Sequence, residues 1–214
     1  MGFDRATLWT IVPVRGLTAG KSRLAPVLDV AGRVALNREL LERTLAVVSA
    51  WSGAPQRTIV VSPCARTLVF ARKAGATAVC EGTRAVGLNR AVRLGVAHAA
   101  AQSATHVLIL PGDLPHISAD ALRALAEAAG RSKRLVLAPD KAGTGTNALL
   151  VGVGTGFEFA FGPASLLAHQ VVARRARLRV SLVQRYDLEL DLDTPDDLAR
   201  WTAKASSRAP RAAV

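Results

Sequence analysis

Apolar residues in this chain come in short unbroken runs that alternate with longer, helically spaced segments. Residues 8–14 read Leu-Trp-Thr-Ile-Val-Pro-Val, a β-rich run that ends in a Gly-containing loop. Residues 30–51 carry Leu36, Leu40, Leu41, Leu45 and Val48 at helical spacing, which predicts one apolar stripe. Further strands are expected at 57–62, 76–80, 105–110, 134–138, 147–153 and 179–183. Further helices are expected at 65–74, 88–101, 118–129, 165–175 and 196–203, with Ser118 reading as an N-cap. The clearest strand is Thr-His-Val-Leu-Ile-Leu at 105–110, closed by Pro111 and Gly112. Strands alternating with helices imply crossover units and a mainly parallel sheet. Continuous apolar strands suit a sheet covered on both faces. Residues 81–87 read as a loop, and the regularity changes after Asp140, where 141–146 form a Gly/Thr loop. No repeat or dividing linker is visible, so one domain over residues 1–203 is expected, followed by a flexible basic tail at 204–214.

Length and composition narrow the class. The chain has 214 residues, half of them hydrophobic and 21% charged, which suits one compact domain and excludes a disordered composition. No apolar run approaches the ~18 residues of a membrane span. The start, Met-Gly-Phe-Asp-Arg, lacks the regions of a signal peptide. Two cysteines, Cys64 and Cys80, are too few for a disulfide framework and lack metal-ligand spacing. A cytoplasmic protein with reduced thiols and no membrane partner is expected. The net charge is +12, a field that attracts nucleotides, phosphorylated metabolites or nucleic acid. Only nine aromatic residues are present, and they do not interleave with the basic ones, so a nucleic-acid partner is not expected.

Candidate chemistry begins in the first loop, Val14-Arg15-Gly16-Leu17-Thr18-Ala19-Gly20-Lys21-Ser22-Arg23-Leu24. It follows a strand's carboxyl end, where open α/β sheets bind ligands. Its glycines let the backbone approach a polyphosphate, and Arg15, Lys21 and Arg23 can neutralise one. Gly20-Lys21-Ser22 is not a P-loop, because the glycine needed at position 15 is Arg15. A Rossmann glycine fingerprint is absent too.

Carboxylates supply the second half. Leu110-Pro111-Gly112-Asp113-Leu114-Pro115 places an acid directly after the strongest strand. Carboxylate plus substrate phosphate is how Mg²⁺ is normally held. Acids at Asp187, Glu189, Asp191 and Asp193 alternate with leucines, and in an extended segment all four would project from one face. Asp193 has a second reading as a helix N-cap, with Pro195 near the first helical position.

Taken in order, these residues resemble a known family. The motifs are Val12-Pro13-Val14-Arg15 with Gly20-Lys21-Ser22-Arg23-Leu24, Gly87-Leu88-Asn89, Gly112-Asp113-Leu114-Pro115 and Gly143-Thr144-Gly145-Thr146-Asn147. Phe161-Gly162-Pro163-Ala164-Ser165 with His169, and Asp191-Leu192-Asp193-Thr194-Pro195, complete the set. They are similar to the guanylyltransferases of coenzyme F420 biosynthesis, over roughly residues 9 to 200. The resemblance implies a Rossmann-like α/β sandwich of the GT-A nucleotidyltransferase kind, around a mostly parallel mixed sheet. It implies transfer of GMP from GTP to phosphoenolpyruvate, 2-phospho-L-lactate or 3-phospho-D-glycerate, in that order of expectation. Thr146, Gly162 and Ser165 would bind the acid. Arg15, Gly20, Lys21, Arg23 and Gly112 would bind GTP, with Asn89 near its guanine or ribose. Asp113, Asp191 and Asp193 would hold Mg²⁺, and Lys21 and Asp113 would be catalytic. The implied partners are the transferase that consumes the product and a second copy of the chain. Arg15 departs from the family's frequent lysine, which alters the geometry of phosphate binding.

The chemistry suits the residues. A phosphate monoester has a second pKa of ~6, so the attacking phosphate is already largely ionised at pH 7. No general base is needed, and no Ser-His-Asp or Cys-His pattern is apparent. Bland alternatives stay open: Gly143 and Gly145 as a turn, Ser165 as a cap, Asn89 as a helix opener, His169 as packing. So do two rival functions, a nucleotidyltransferase with a sugar-phosphate or molybdopterin acceptor and a non-catalytic nucleotide- or nucleic-acid-binding protein.

Overall fold

Two-residue alternation assigns the sheet's faces. In β4 (His106–Ile109), Val107 and Ile109 pack to one side and Leu108 to the other. β5 (Arg134–Pro139) sends Leu135 and Leu137 one way and Val136 and Ala138 the other. β6 (Thr146–Gly152) does the same with Leu149 and Val151 against Ala148 and Leu150. Both faces are therefore apolar and both must be covered. α1 (Val30–Ser52) and α4 (Ala119–Ala129) flank one face, while α3 (Leu88–Ala101) and α5 (Ser165–Arg175) flank the other.

The computed structural model describes residues 4–82, 87–130 and 133–208. The remaining strands are β1 (Leu8–Pro13), β2 (Thr58–Ser62), β3 (Thr77–Cys80) and β7 (Arg179–Leu182). Among the described residues they form one seven-stranded sheet in the order β3-β2-β1-β4-β6-β5-β7. β6 runs antiparallel to both neighbours, and every other pair is parallel. The mostly parallel mixed sheet is as expected. After β1 the chain moves outward to β2 and β3, with α2 (Ala65–Lys73) between them, then returns through α3 to place β4 on β1's other side. The loops leaving β1 and β4 thus diverge and open a crevice at the switch point.

The α1 stripe is buried as its spacing predicts, with Thr44 and Trp51 added. Ser118 caps α4 by accepting the Ala121 N–H at 3.0 Å. α3 lies unusually close to the sheet. A Cβ on Gly95 would stand 2.6 Å from Ile11 Cγ2 and 3.2 Å from Val61 Cγ2.

Two expectations need correction. Residues 187–193 are not one extended face of acids: Tyr186–Glu189 forms a helical turn, α6. Leu188 is fully buried, and Asn147 Nδ2 donates to the Leu188 and Glu189 carbonyls at 3.0 and 3.1 Å. Asp187 turns away to a two-bond pair with Arg185 and a hydrogen bond from Ser118. Tertiary bonds override the alternating pattern. The last helix, α7 (Pro195–Arg208), runs past residue 203 into the expected tail. Its Ala, Lys and Arg content favours helix, and the first breaker in sequence is Pro210. The predicted loop at 81–87 lies partly outside the described residues.

The close approach of α3 gives a test. Gly95→Val adds a branched side chain where a single carbon already collides with central strand β1. Overpacking of this kind costs about 1–3 kcal/mol. Denaturant unfolding should show that loss, and an unchanged midpoint would refute the close packing.

Candidate active site

The loop after β1 is held from three directions. Val14 N–H continues the ladder to the Val61 carbonyl at 2.9 Å. Leu17 is buried and its N–H donates to Thr67 Oγ1 of α2 at 3.1 Å. Asn37 of α1 donates to the Leu17 and Ala19 carbonyls at 3.0 and 3.3 Å. Gly16, at φ +148°, passes Cys64 so closely that a Cβ would lie 3.1 Å from the cysteine's own. Gly20 at φ +88° and Lys21 at φ +53° then turn the chain back across the cleft. The cleft holds about 790 Å³, within the range of small-molecule sites. Arg15, Gly20, Lys21, Glu81, Asp113 and Asp193 are among its lining residues, as is Gly112.

Lys21 is the centre of charge. Its side chain is only 4% exposed, and Nζ donates to the Leu192 carbonyl at 2.5 Å. It also meets Asp113 Oδ2 and Asp193 Oδ1, each at 3.4 Å. One ammonium therefore joins the loop after β1, the loop after β4 and the segment before α7. Asp113 remains 35% exposed toward the cleft. Loss of solvation raises its pKa above the usual carboxylate value; Lys21 opposes this and Asp193 adds to it. Asp191 is raised by burial and by the charges of Asp113, Asp193 and Asp140. Asp193 is free to serve because Thr194 takes the cap. Thr194 Oγ1 accepts the Asp197 N–H at 3.3 Å, and Asp197 Oδ2 accepts the Thr194 N–H at 2.9 Å. This reciprocal cap at Thr194-x-x-Asp197 was readable in sequence and removes the N-cap reading of Asp193.

A second cluster lies at the start of β6. Thr146 Oγ1 is 3.0 Å from His169 Nδ1 and accepts from Ser165 Oγ at 3.3 Å. His169 Nε2 accepts the Ala160 N–H at 3.1 Å. A nitrogen that accepts carries no proton, so the neutral ring is protonated on Nδ1 and donates to Thr146. His169 is fully buried, and loss of solvation pushes its pKa down to about 4. Ser165 stands at the first position of α5, with Ala164 at φ +53° before it and Gly162 at φ +144°. Ser165 is thus not the cap. The approach of Asp140 explains Gly145: a Cβ there would lie 2.6 Å from Asp140 Oδ2.

Most candidates gather into two groups, and three lie outside them; Asp191 is near Asp113 and Asp193 but is not among the residues lining the cleft. Arg15, Gly20, Lys21, Gly112, Asp113 and Asp193 share the cleft. Thr146, Ser165 and His169 share the second cluster, with Gly162 in the turn that leads into α5. Arg23 is exposed in a short 3₁₀ turn and does not line the cleft. Asn89 has another task. Its Nδ2 donates to the Phe161 carbonyl at 2.9 Å and its Oδ1 accepts the Phe161 N–H at 2.8 Å. Both ends of the amide hold a peptide unit, so Asn89 secures the wall beside the second cluster. Asn37 and Thr67 carry no sequence signal, because nothing local marks a side chain whose role is to brace a distant loop.

Sheet order, switch-point cleft and paired acids together define a Rossmann-like α/β fold of the GT-A nucleotidyltransferase type. A nucleotide-diphospho-sugar transferase, so described, from Desulfovibrio desulfuricans G20 superposes with a TM-score of 0.75 at 16% identity, covering 97% of this chain and 91% of its own. The family model described as "Guanylyl transferase CofC like" matches residues 8–209, and the chain belongs to that family. A phosphoenolpyruvate guanylyltransferase from Rubrobacter xylanophilus is 40% identical over 92% of this chain and 94% of its own length. A 3-phospho-D-glycerate guanylyltransferase from Phenylobacterium zucineum is 41% identical over 87% and 86%.

Burial of His169 predicts a pH dependence of stability. Its folded pKa of about 4 lies below the ordinary 6.5, so the unfolded chain binds more protons between those values. Stability is then fully present above pH ~6.5 and falls as the pH drops toward ~4, by roughly 3 kcal/mol from this group. His169→Gln removes the titration, so its unfolding free energy should decline less than wild type's over that window. Parallel curves would contradict the buried neutral ring.

Proposed function

We propose that this chain transfers GMP from GTP to a small phosphorylated three-carbon acid and releases pyrophosphate. The observation that carries the reading is the Lys21–Asp113–Asp193 cluster in a nucleotide-sized cleft of a chain in the guanylyl transferase family. Relatives named for phosphoenolpyruvate and for 3-phospho-D-glycerate support the acid class. Family membership favours a role in coenzyme F420 biosynthesis.

An oxygen of the acid's phosphate attacks the α-phosphorus of GTP, and the bond from that phosphorus to the β-phosphate bridging oxygen breaks. The electron pair leaves with pyrophosphate, and no proton need be removed from the nucleophile. The protein's work is to hold two anions together and offset their charge. Arg15 and Lys21 face the polyphosphate region of the cleft, and the glycine-rich loop lets it approach the backbone. Thr146 supplies a hydroxyl donor for the acid, and Ser165 orients it by donating to the Thr146 oxygen.

The donor set fits a divalent cation. Asp113 and Asp193 already converge on one ammonium, and burial together with the nearby charge of Asp113 raises the pKa of Asp191. Among the described residues no group of three or more His, Cys, Asp or Glu side chains closes into a metal cage. Mg²⁺ suits such a site, because it is commonly held by one or two carboxylates with substrate phosphates completing the shell. Asp113 and Asp193, with Asp191 nearby, would hold it, and it would neutralise charge developing on the phosphates. Among the described residues no helix is long and apolar enough to cross a membrane, and we place the reaction in the cytoplasm, where GTP is available.

The test is pyrophosphate release from GTP and Mg²⁺ with phosphoenolpyruvate, 2-phospho-L-lactate and 3-phospho-D-glycerate separately, with ATP and CTP as controls. Turnover with GTP and one of the acids is expected. Asp113→Asn should cut kcat at least ~10²-fold while leaving circular dichroism unchanged. Full activity in that variant would remove Asp113 from the chemistry.

A further inference from the structure

His169 sits fully buried between β6 and the 157–162 segment, although nothing in guanylyl transfer consumes a histidine there. Its neighbours are aromatic. Phe161 meets the ring edge-on at a centroid distance of 4.7 Å, and Phe157 stands at 5.8 Å. Phe159 packs on both phenylalanines, at 5.5 and 6.4 Å. This casing keeps water from competing for the two ring nitrogens.

We propose that His169 is the positioning residue of the acid subsite, and that it sets which way the Thr146 hydroxyl proton points. The proposal rests on the guanylyltransferase reading above. Ala160 N–H occupies Nε2, so Nδ1 carries the ring proton and gives it to Thr146 Oγ1. Ser165 Oγ donates to the same oxygen. A hydroxyl oxygen has two lone pairs and one proton. With both lone pairs engaged, Thr146 has only its proton left to offer. A freely rotating hydroxyl could meet an anion with a lone pair and repel it, whereas this one can only donate. The same ring ties the Ala160 peptide, next to the Phe161 peptide that Asn89 grips, so His169 also fixes the far wall. It cannot serve as a general base, because its only lone-pair nitrogen is already bonded to the backbone and the ring has no exposure.

The experiment compares wild type, His169→Leu and His169→Gln in steady state, varying GTP and the acid separately. Leucine keeps bulk and removes both hydrogen bonds, while glutamine restores one donor and one acceptor. His169→Leu should raise KM for the acid about tenfold or more, the loss of a hydrogen bond to a charged group, with KM for GTP within about twofold. His169→Gln should recover most of that loss. Equal rises in both KM values, or glutamine no better than leucine, would overturn the proposal. A second measurement holds even if leucine prevents folding. Imidazole ¹⁵N shifts of wild-type protein should show Nδ1 protonated and Nε2 bare from pH 5 to 8, and the opposite tautomer refutes the role. Wild type silent with every acid would instead overturn the functional reading, and this inference with it.

Discussion

Everything at the mouth of this cleft depends on one buried ammonium. Lys21 is asked to do three things at once: neutralise Asp113, neutralise Asp193 and bond the Leu192 carbonyl. Without a cation there, two partly exposed carboxylates from different parts of the chain would face each other. The arrangement carries its own cost. Lys21 adopts a left-handed backbone conformation, which disfavours a residue with a Cβ by roughly 1–2 kcal/mol. That strain persists because the neighbouring loop is fixed by Leu17, Thr67 and Asn37, none of which touches the charges. Scaffold bonds therefore place the cation, and the cation in turn gathers the acids.

Fold topology decides where this happens. Strand β4 returns to the opposite side of β1 from β2, so the two loops that carry Lys21 and Asp113 part at the centre of the sheet. The segment with Asp191 and Asp193 arrives from outside. It is anchored by Asn147, whose side chain reaches from β6 to the carbonyls of α6. Asn147 immediately follows Thr146 in the chain. Alternation along β6 gives one residue to the His169 cluster and the next to the anchor of the acidic segment. A single strand start thus sets the relation between the two halves of the site, and a local shift of register would disturb both.

How much of this was legible in the sequence follows from the range of each interaction. Strands, helices and the α1 stripe were readable because period and burial are local properties. The acids at the end of β4 and the basic loop after β1 were readable because a strand's carboxyl end has a known relation to the crevice. The acidic run at 187–193 does not share one extended face, because Asn147 and Ser118 hold its first residues in a turn. The partner of Asn89 was not readable either, because it is a peptide 72 residues away in the chain. His169 was visible as part of a motif, but its tautomer depends on the Ala160 N–H, which no spacing rule could supply.

The two clusters also divide the problem of selectivity. The cleft offers charge: arginine, lysine and paired acids, which recognise polyphosphate but distinguish poorly among acceptors that all carry a phosphate and a carboxylate. The Thr146–Ser165–His169 cluster offers one directed donor, the Thr146 hydroxyl, in a nearly dry wall where an unmatched polar group is costly. Phosphoenolpyruvate, phospholactate and phosphoglycerate differ only around C2 and C3, in planarity, a methyl group or a hydroxyl. The Thr146 hydroxyl, left with its proton, satisfies a phosphate or carboxylate oxygen, whereas Ser165, whose proton goes to Thr146, keeps lone pairs that can accept from a substrate hydroxyl. Under the proposed function, the choice of acid would lie with the wall formed by β6, α5 and the phenylalanine segment, and the charged cleft would contribute binding common to all three.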